Sequence, residues 1–284
     1  MIFYGGYSGN MKKLLVILMA ALLICSLVSC NKKDDETVGD DNRVADEKVY
    51  GNFIYEINGD ATCEITGFTY TGIKEIDVEI PEEIDSLTVT GIGADAFKAF
   101  KTVKSVKIPS SIEYIAQFAF YDCDAITTIV IPDSVKTIGV GAFWQCDNLT
   151  TVTLPQTLKS IENYTFMECK SLTGVILPEG LESIGNAAFW GCKALTEITV
   201  PTSVKDMGDA AFYLCESLNK ATVLGDALGK DEVISEKETV EHKIGEIVFN
   251  SCSKDLIVVV TEGTAFASYA EANKYNVSFN VVAE

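Results

Sequence analysis

Nine cysteines and a single histidine, His242, are the residues of this 284-residue chain whose types could do covalent, redox or metal chemistry. Five of the cysteines stand 23 residues apart, at Cys123, Cys146, Cys169, Cys192 and Cys215. In an exported protein such a column invites a disulfide reading. Side chains that point the same way from stacked strands, about 4.8 Å apart, rarely reach the dihedral a disulfide needs, so a buried ladder of inert thiols is the expectation. No Cys-x-x-Cys spacing occurs, which leaves a zinc site without support. His242 stands alone in an acidic stretch, so any Ser/His or Cys/His pair would have to use that one residue on a loop. Carboxylates are abundant, but none is placed distinctively enough for paired-acid hydrolysis. The expectation is a protein without enzymatic activity, cofactor or metal.

Two columns with binding chemistry accompany the cysteines. Phe120, Phe143, Phe166, Phe189 and Phe212 each precede a cysteine by three, and the residue after each Phe is large: Tyr121, Trp144, Met167, Trp190, Tyr213. If the Phe faces inward as in a strand, its successor faces out, and Tyr121, Trp144, Trp190 and Tyr213 form an exposed stacking platform for sugars or proteins. The second column is the outward strand face before the prolines, with hydroxyls at Thr128, Thr151, Thr153 and Thr199 and Gly174 and Ile176 in the fourth unit, a face that is nearly neutral within an acidic chain.

The elements that must position these residues follow from the repeat itself. Pro109, Pro132, Pro155, Pro178 and Pro201 are each 23 residues apart, and each is followed by Phe at eleven and Cys at fourteen positions. A fixed period of this length marks a solenoid, whose units bury their apolar faces only on one another. Within a unit, Val152 and Leu154 alternate with Thr151 and Thr153, the period of a half-buried strand, and Pro155 ends it. Leu158 and Ile161 mark a second inward segment after the corner. The fold class is therefore a mainly β repeat solenoid. The Pro81 unit takes 28 residues, and residues 47–80 alternate apolar and polar positions as a capping hairpin would. Beyond the array at 81–223, residues 224–284 hold a degenerate repeat: Phe249 and Cys252 recover the spacing once 14 residues, within an acidic stretch from Gly225 to Lys243, are counted as inserted. Thr264 to Asn276 has helical spacing, and a closing strand spans Val277 to Val282.

The order Leu-x-x-(Ile/Val)-x-(Ile/Leu/Val)-Pro-x-x-(Ile/Leu/Val)-x-x-Ile-x-x-x-Ala-Phe-x-x-Cys resembles the BspA-like class of leucine-rich repeats of bacterial surface proteins. The likeness runs closely from Pro81 to Val223. It implies a leucine-rich repeat fold and a role in binding or adhesion at a cell surface. The usual ladder asparagine is replaced by Ser111, Ser134, Thr157, Gly180 and Ser203, whose hydroxyls are expected to bond neighbouring backbone except at Gly180.

At the N-terminus, Lys12 and Lys13 precede an apolar run from Leu14 to Ile24, the design of a secretory signal peptide over residues 1–29. Met1 to Asn10 has no basic residue and reads as an upstream start, with Met11 the alternative. Leu27-Val-Ser-Cys30 resembles a bacterial lipobox, which implies that Cys30 is lipidated and heads the mature chain. Several acyl chains make a stable membrane anchor. Residues 30–46 read as a disordered tether, and their acidic cluster resembles the signal for display on the outer face of the outer membrane. Without Lys12 and Lys13, 20 basic residues face 41 acidic ones, a formal charge of −21. Phosphate recognition needs the opposite sign, so nucleic acid is excluded as a partner. The expectation is a surface-displayed lipoprotein that binds an extracellular protein or host-matrix ligand; the alternative is a glycan-binding accessory or hydrolase of a nutrient-uptake system.

Overall fold

The computed structural model describes residues 48–59, 61–225, 248–249, 251–264, 266–268 and 279–283. The signal peptide, Cys30, the tether, most of the acidic insertion with His242, and most of the segment with helical spacing lie outside the described residues.

The chain enters as an antiparallel meander, β1 (Lys48–Tyr50), β2 (Phe53–Ile57) and β3 (Thr62–Phe68). It continues through β4 (Ile76–Glu79), β5 (Glu83–Ile84) and β6 (Leu87–Ile92). β5 and β6 are joined by Asp85 and Ser86, both with positive φ, the two-residue turn whose twist suits antiparallel strands. This hairpin takes up the extra residues of the Pro81 unit. β3 pairs parallel with β6, which hands the edge of the meander to the coils.

From there the coils alternate between a longer strand before the proline and a two-residue strand after it. They run β7 (Val103–Lys107), β8 (Tyr114–Ile115), β9 (Thr128–Val130), β10 (Thr137–Ile138), β11 (Thr151–Thr153), β12 (Ser160–Ile161), β13 (Gly174–Val175), β14 (Ser183–Ile184), β15 (Glu197–Val200), β16 (Asp206–Met207) and β17 (Lys220–Val223). From β8 to β17 all pairs between coils are parallel and in register at the 23-residue period: Thr128 with Thr151, Thr151 with Gly174, Glu197 with Lys220. Parallel register at the sequence period puts the same repeat position one coil above another. β18 (Leu256–Val260) pairs with β17 through Lys220 and Ile257, 37 positions apart, one coil plus the 14 extra residues. The closing strand is β19 (Phe279–Ala283), and its Phe279 pairs with Leu256 at the 23-residue period again. The chain is a β-solenoid of about seven turns.

The core is a stack of phenylalanines. Phe97, Phe120, Phe143, Phe166, Phe189, Phe212 and Phe249 are all buried, with successive ring centroids 5.1–5.6 Å apart and planes 4–17° from parallel. That separation with parallel planes is the offset arrangement aromatic quadrupoles favour. Phe68 caps the stack at 5.2 Å from Phe97, tilted by 34°, and Phe53 closes it at 5.3 Å from Phe68.

The segment carrying the Phe is a run of turns and not a strand. Residues two before the Phe (Asp95, Phe118, Gly141, Tyr164, Ala187, Ala210) and two after it (Ala99, Asp122, Gln145, Glu168, Gly191, Leu214, Ser251) all have positive φ. L-residues rarely adopt this conformation, and here it recurs because every coil must bend on both sides of the Phe. At Gly185, another close approach, a Cβ would lie 2.5 Å from the Asn163 nitrogen of the preceding coil.

Outside the core, charged columns align. Lys136 pairs with Glu113 at 2.9 Å, Lys159 with Glu182 at 3.1 Å, Lys170 with Asp147 at 2.7 Å and Lys193 with Glu216 at 2.8 Å, each across one coil. Exposed pairs contribute little to stability, about 0–1 kcal/mol each, but like charges in the same columns would oppose stacking.

Candidate functional site

The exposed-platform expectation is overturned. Trp144 is 4 % exposed, Trp190 9 % and Tyr213 9 %; Tyr121 is half-buried. The strand rule that sent the residue after each Phe outward does not apply to a segment with left-handed residues on both sides of the Phe. Trp144 packs among Tyr121 at 5.4 Å, Tyr164 at 5.9 Å and Phe118 at 6.3 Å, and Trp190 lies 4.7 Å from Tyr213. These side chains cover the turn corner of neighbouring coils. The two indoles and Tyr213 thus present no open ring face to a sugar.

The cysteine column is buried and every described cysteine is a free thiol. Sequence reading missed what the thiols do. Each donates to the carbonyl of the phenylalanine in the coil before it: Cys123 to Phe97 at 2.9 Å, Cys146 to Phe120 at 3.1 Å, Cys169 to Phe143 at 3.1 Å, Cys192 to Phe166 at 3.2 Å and Cys215 to Phe189 at 3.2 Å. Burial pushes the Cys123 thiol up to about 12 and holds Cys146, Cys169, Cys192 and Cys215 above the ordinary thiol range. Because the thiolate is the reactive form, iodoacetamide at mildly alkaline pH is expected to alkylate half-buried Cys252 first and to spare these five until the protein unfolds. Peptide mass mapping checks it; native-state labelling of Cys169 as fast as Cys252 would contradict the burial argument.

The ladder expected at the Ser column is also corrected. The hydroxyls of Ser111, Ser134 and Ser203 are buried with no hydrogen-bond partner, and only Thr157 donates, to the Asp133 carbonyl at 3.0 Å. Two other columns perform the role. Thr150, Thr173 and Thr196 each donate to the carbonyl of residue 127, 150 or 173 one coil back. Asn163 accepts from the Asn186 backbone N–H at 2.7 Å, and Asn186 from that of Asp209 at 2.8 Å. The reason is geometric: residues that follow the proline turn inward over the core, while those five before it and eight after it stand at the coil edge, within reach of the next backbone. The recurrence of Thr at 23-residue spacing was the available signal.

Carboxyl chemistry is scattered. Glu168 and Asp209 have raised pKa values, in each case chiefly from burial, but they belong to coils two apart in the array. Among the described residues no three His, Cys, Asp or Glu side chains gather as a metal-holding group.

What remains open to solvent is the outer face of the longer strands. Thr128, Thr151, Thr153 and Thr199 are all exposed there, as the alternation required, and beside them Val130 is 64 % and Ile176 83 % exposed. A hollow of about 460 Å³ opens on this face, lined by Thr151 and Val152 of β11, Gly174 to Leu177 around β13, Glu197 to Thr199 of β15, and Glu179 and Pro201. Gly174 has no side chain to fill it, and a Cβ built there meets nothing within 4 Å. The pairing of the longer strands is also interrupted here: β9, β11 and β13 form one sheet, and β15, β17, β18 and β19 another. The brought-together candidates are thus Thr151 and Thr199, with Thr153 on the same strand as Thr151 and Thr128 one coil back on the same face.

Similarity to known proteins agrees with the coil geometry. No curated protein matches the chain. Among solved structures, a leucine rich cell surface protein from Faecalibacterium prausnitzii is similar at 24% identity and a TM-score of 0.53, over 88% of this chain and 74% of that one. The leucine rich repeat protein of T. pallidum is similar at 22% identity and a TM-score of 0.49, over 84% of this chain and 100% of that one. The first of these likenesses supports the fold alone. Leucine-rich repeat folds of this kind are typically non-enzymatic. The family described as "BspA type Leucine rich repeat region (6 copies)" matches at residues 64–166 and 90–219, more than half the chain and the span that holds the proline corners and the Phe and Cys columns. The chain belongs to the BspA type leucine rich repeat family.

Proposed function

We propose that the protein is a lipid-anchored module on the outer surface of the outer membrane that binds an extracellular protein through the exposed face of its longer strands. The observation that carries this reading is the outward hydroxyl row of Thr128, Thr151, Thr153 and Thr199, beside exposed Val130 and Ile176. Hydroxyls and apolar side chains held in register by a rigid scaffold provide directional hydrogen bonding and desolvation together, as recognition surfaces require. The family is one of surface proteins, and the Faecalibacterium relative is described as a cell surface protein, which favours display. Burial of both indoles removes the stacking surface that a glycan-binding reading would use.

Anchoring and recognition separate experimentally. Cys30→Ala is expected to abolish fatty-acid incorporation into the protein, read by labelling cells with a palmitate analogue. Undiminished labelling of that variant would refute the lipid anchor, and protection of the wild-type chain from protease on intact cells would refute display. For recognition, cells displaying the full chain are incubated with a panel of purified matrix proteins. Replacing Thr128, Thr151, Thr153 and Thr199 together by Val keeps shape and strand propensity and removes only the hydroxyls. Capture is expected to fall about tenfold or more, the loss of one or two hydrogen bonds. Undiminished capture at equal display would refute a binding role for this face.

A further inference from the structure

The hollow at Gly174 carries a more specific reading, which rests on the strand face being the binding surface. We propose that it receives a lysine or arginine side chain from an extended segment of another polypeptide, the aliphatic stem lying over Ile176 and the cation between Glu179 and Glu197.

Exposed acids elsewhere on the array, such as Glu113, Asp124, Asp147, Glu182 and Glu216, are matched by lysines one coil away. Glu179 and Glu197 line the hollow and form no ion pair or side-chain hydrogen bond with the described residues. Lys220 is the register partner of Glu197 on the adjacent strand, but no ion pair joins them. The hollow therefore combines two carboxylates free of ion pairs, Glu197 with Lys220 beside it on the next strand, with hydroxyls of Thr151 and Thr199 and an almost fully exposed Ile176.

That combination excludes the other classes in turn. An anionic ligand meets carboxylates on a chain of net charge −19. A neutral sugar finds no aromatic ring, because the indoles are buried at another corner. A basic side chain with an apolar stem satisfies both halves of the site, since lysine and arginine bury their methylenes along apolar surface while the head stays at the charged rim. An extended backbone suits a flat strand face, where alternate side chains point toward it.

The test uses the full chain in detergent micelles and fluorescein-labelled hexapeptides alternating valine with arginine, set against the same peptides with glutamine in place of arginine. The arginine peptide is expected to bind and the glutamine peptide to bind at least about tenfold more weakly, the equivalent of one charge-assisted contact. Glu179→Gln with Glu197→Gln should cost a similar factor, and raising salt from about 0.05 to about 0.5 M should weaken only the arginine peptide. Gly174→Val places a branched side chain in the hollow at a strand position that accepts one, and should abolish binding while leaving the unfolding midpoint unchanged or higher. Equal binding of the two peptides, binding that survives Gly174→Val, or no binding of either peptide overturns the proposal. If the hydroxyl-free variant loses matrix-protein capture while the arginine peptide fails to bind, the strand-face reading stands and this inference alone falls. If capture is also undiminished, both fall.

Discussion

Replacing Phe166 with alanine is expected to lower the unfolding free energy by about 3–5 kcal/mol, the range for emptying a large aromatic site in a rigid core. Phe166 is fully buried in the middle of the stack, 5.6 Å from Phe143 and 5.4 Å from Phe189. Its backbone belongs to the same interface: its N–H donates to the Ala188 carbonyl at 2.8 Å and its carbonyl accepts the Cys192 thiol at 3.2 Å. Collapse around the cavity would therefore strain contacts with both neighbouring coils. Solenoid stability is a sum of coil and nearest-neighbour terms, so a middle coil contributes through two well-formed interfaces. Phe249 stacks on Phe212 at 5.6 Å in the coil that follows the 14-residue insertion, near the end of the array. Phe249→Ala is expected to cost less than Phe166→Ala. Urea denaturation of the two variants decides it: equal shifts in midpoint would contradict nearest-neighbour energetics in this chain.

How much of this was legible depended on whether a residue's identity reports its conformation. Proline does, because its ring fixes φ and removes a donor, so Pro109 to Pro201 marked the strand ends directly. The register followed from the same period, since parallel coils put position on position. The 14-residue offset between Lys220 and Ile257 was readable from Phe249 and Cys252 for the same reason. The turn corner was illegible because its left-handed positions are occupied by Phe118, Tyr164, Gln145, Glu168 and Leu214, types that usually avoid them, with Gly at only two of the repeats. Nothing in those identities announces a turn, so a strand's alternation was carried past the place where the strand ends. The hydroxyl face survived because Thr128, Thr151, Thr153 and Thr199 sit in true strands. The hollow needed the structure: Gly174 reads as a gap only when the parallel neighbours on both sides are in place.

The indoles provide the second large effect, and it separates covering from recognition. Trp144→Ala should destabilise the protein by about 3–5 kcal/mol, as for other buried aromatic deletions, because the ring is packed among Phe118, Tyr121 and Tyr164. An exposed ring would cost almost nothing. The Nε1 of Trp144 sharpens the test, since it is buried with no hydrogen-bond partner. A buried donor without an acceptor is a penalty of about 1–3 kcal/mol that the folded state carries for the sake of the ring's volume. Trp144→Phe removes that donor and retains most of the apolar surface, so the two changes offset and the variant should lie within about 1 kcal/mol of wild type. A large loss for Trp144→Ala with near-neutrality for Trp144→Phe identifies the ring as cover for the coil corner. Fluorescence offers an independent check, because Trp144 and Trp190 are the only tryptophans and each single variant isolates the other. Both remaining indoles should emit at short wavelength and resist acrylamide quenching until the solenoid unfolds. Ready quenching in the native state, with unchanged stability of Trp144→Ala, would return the aromatic column to the surface and to ligand binding.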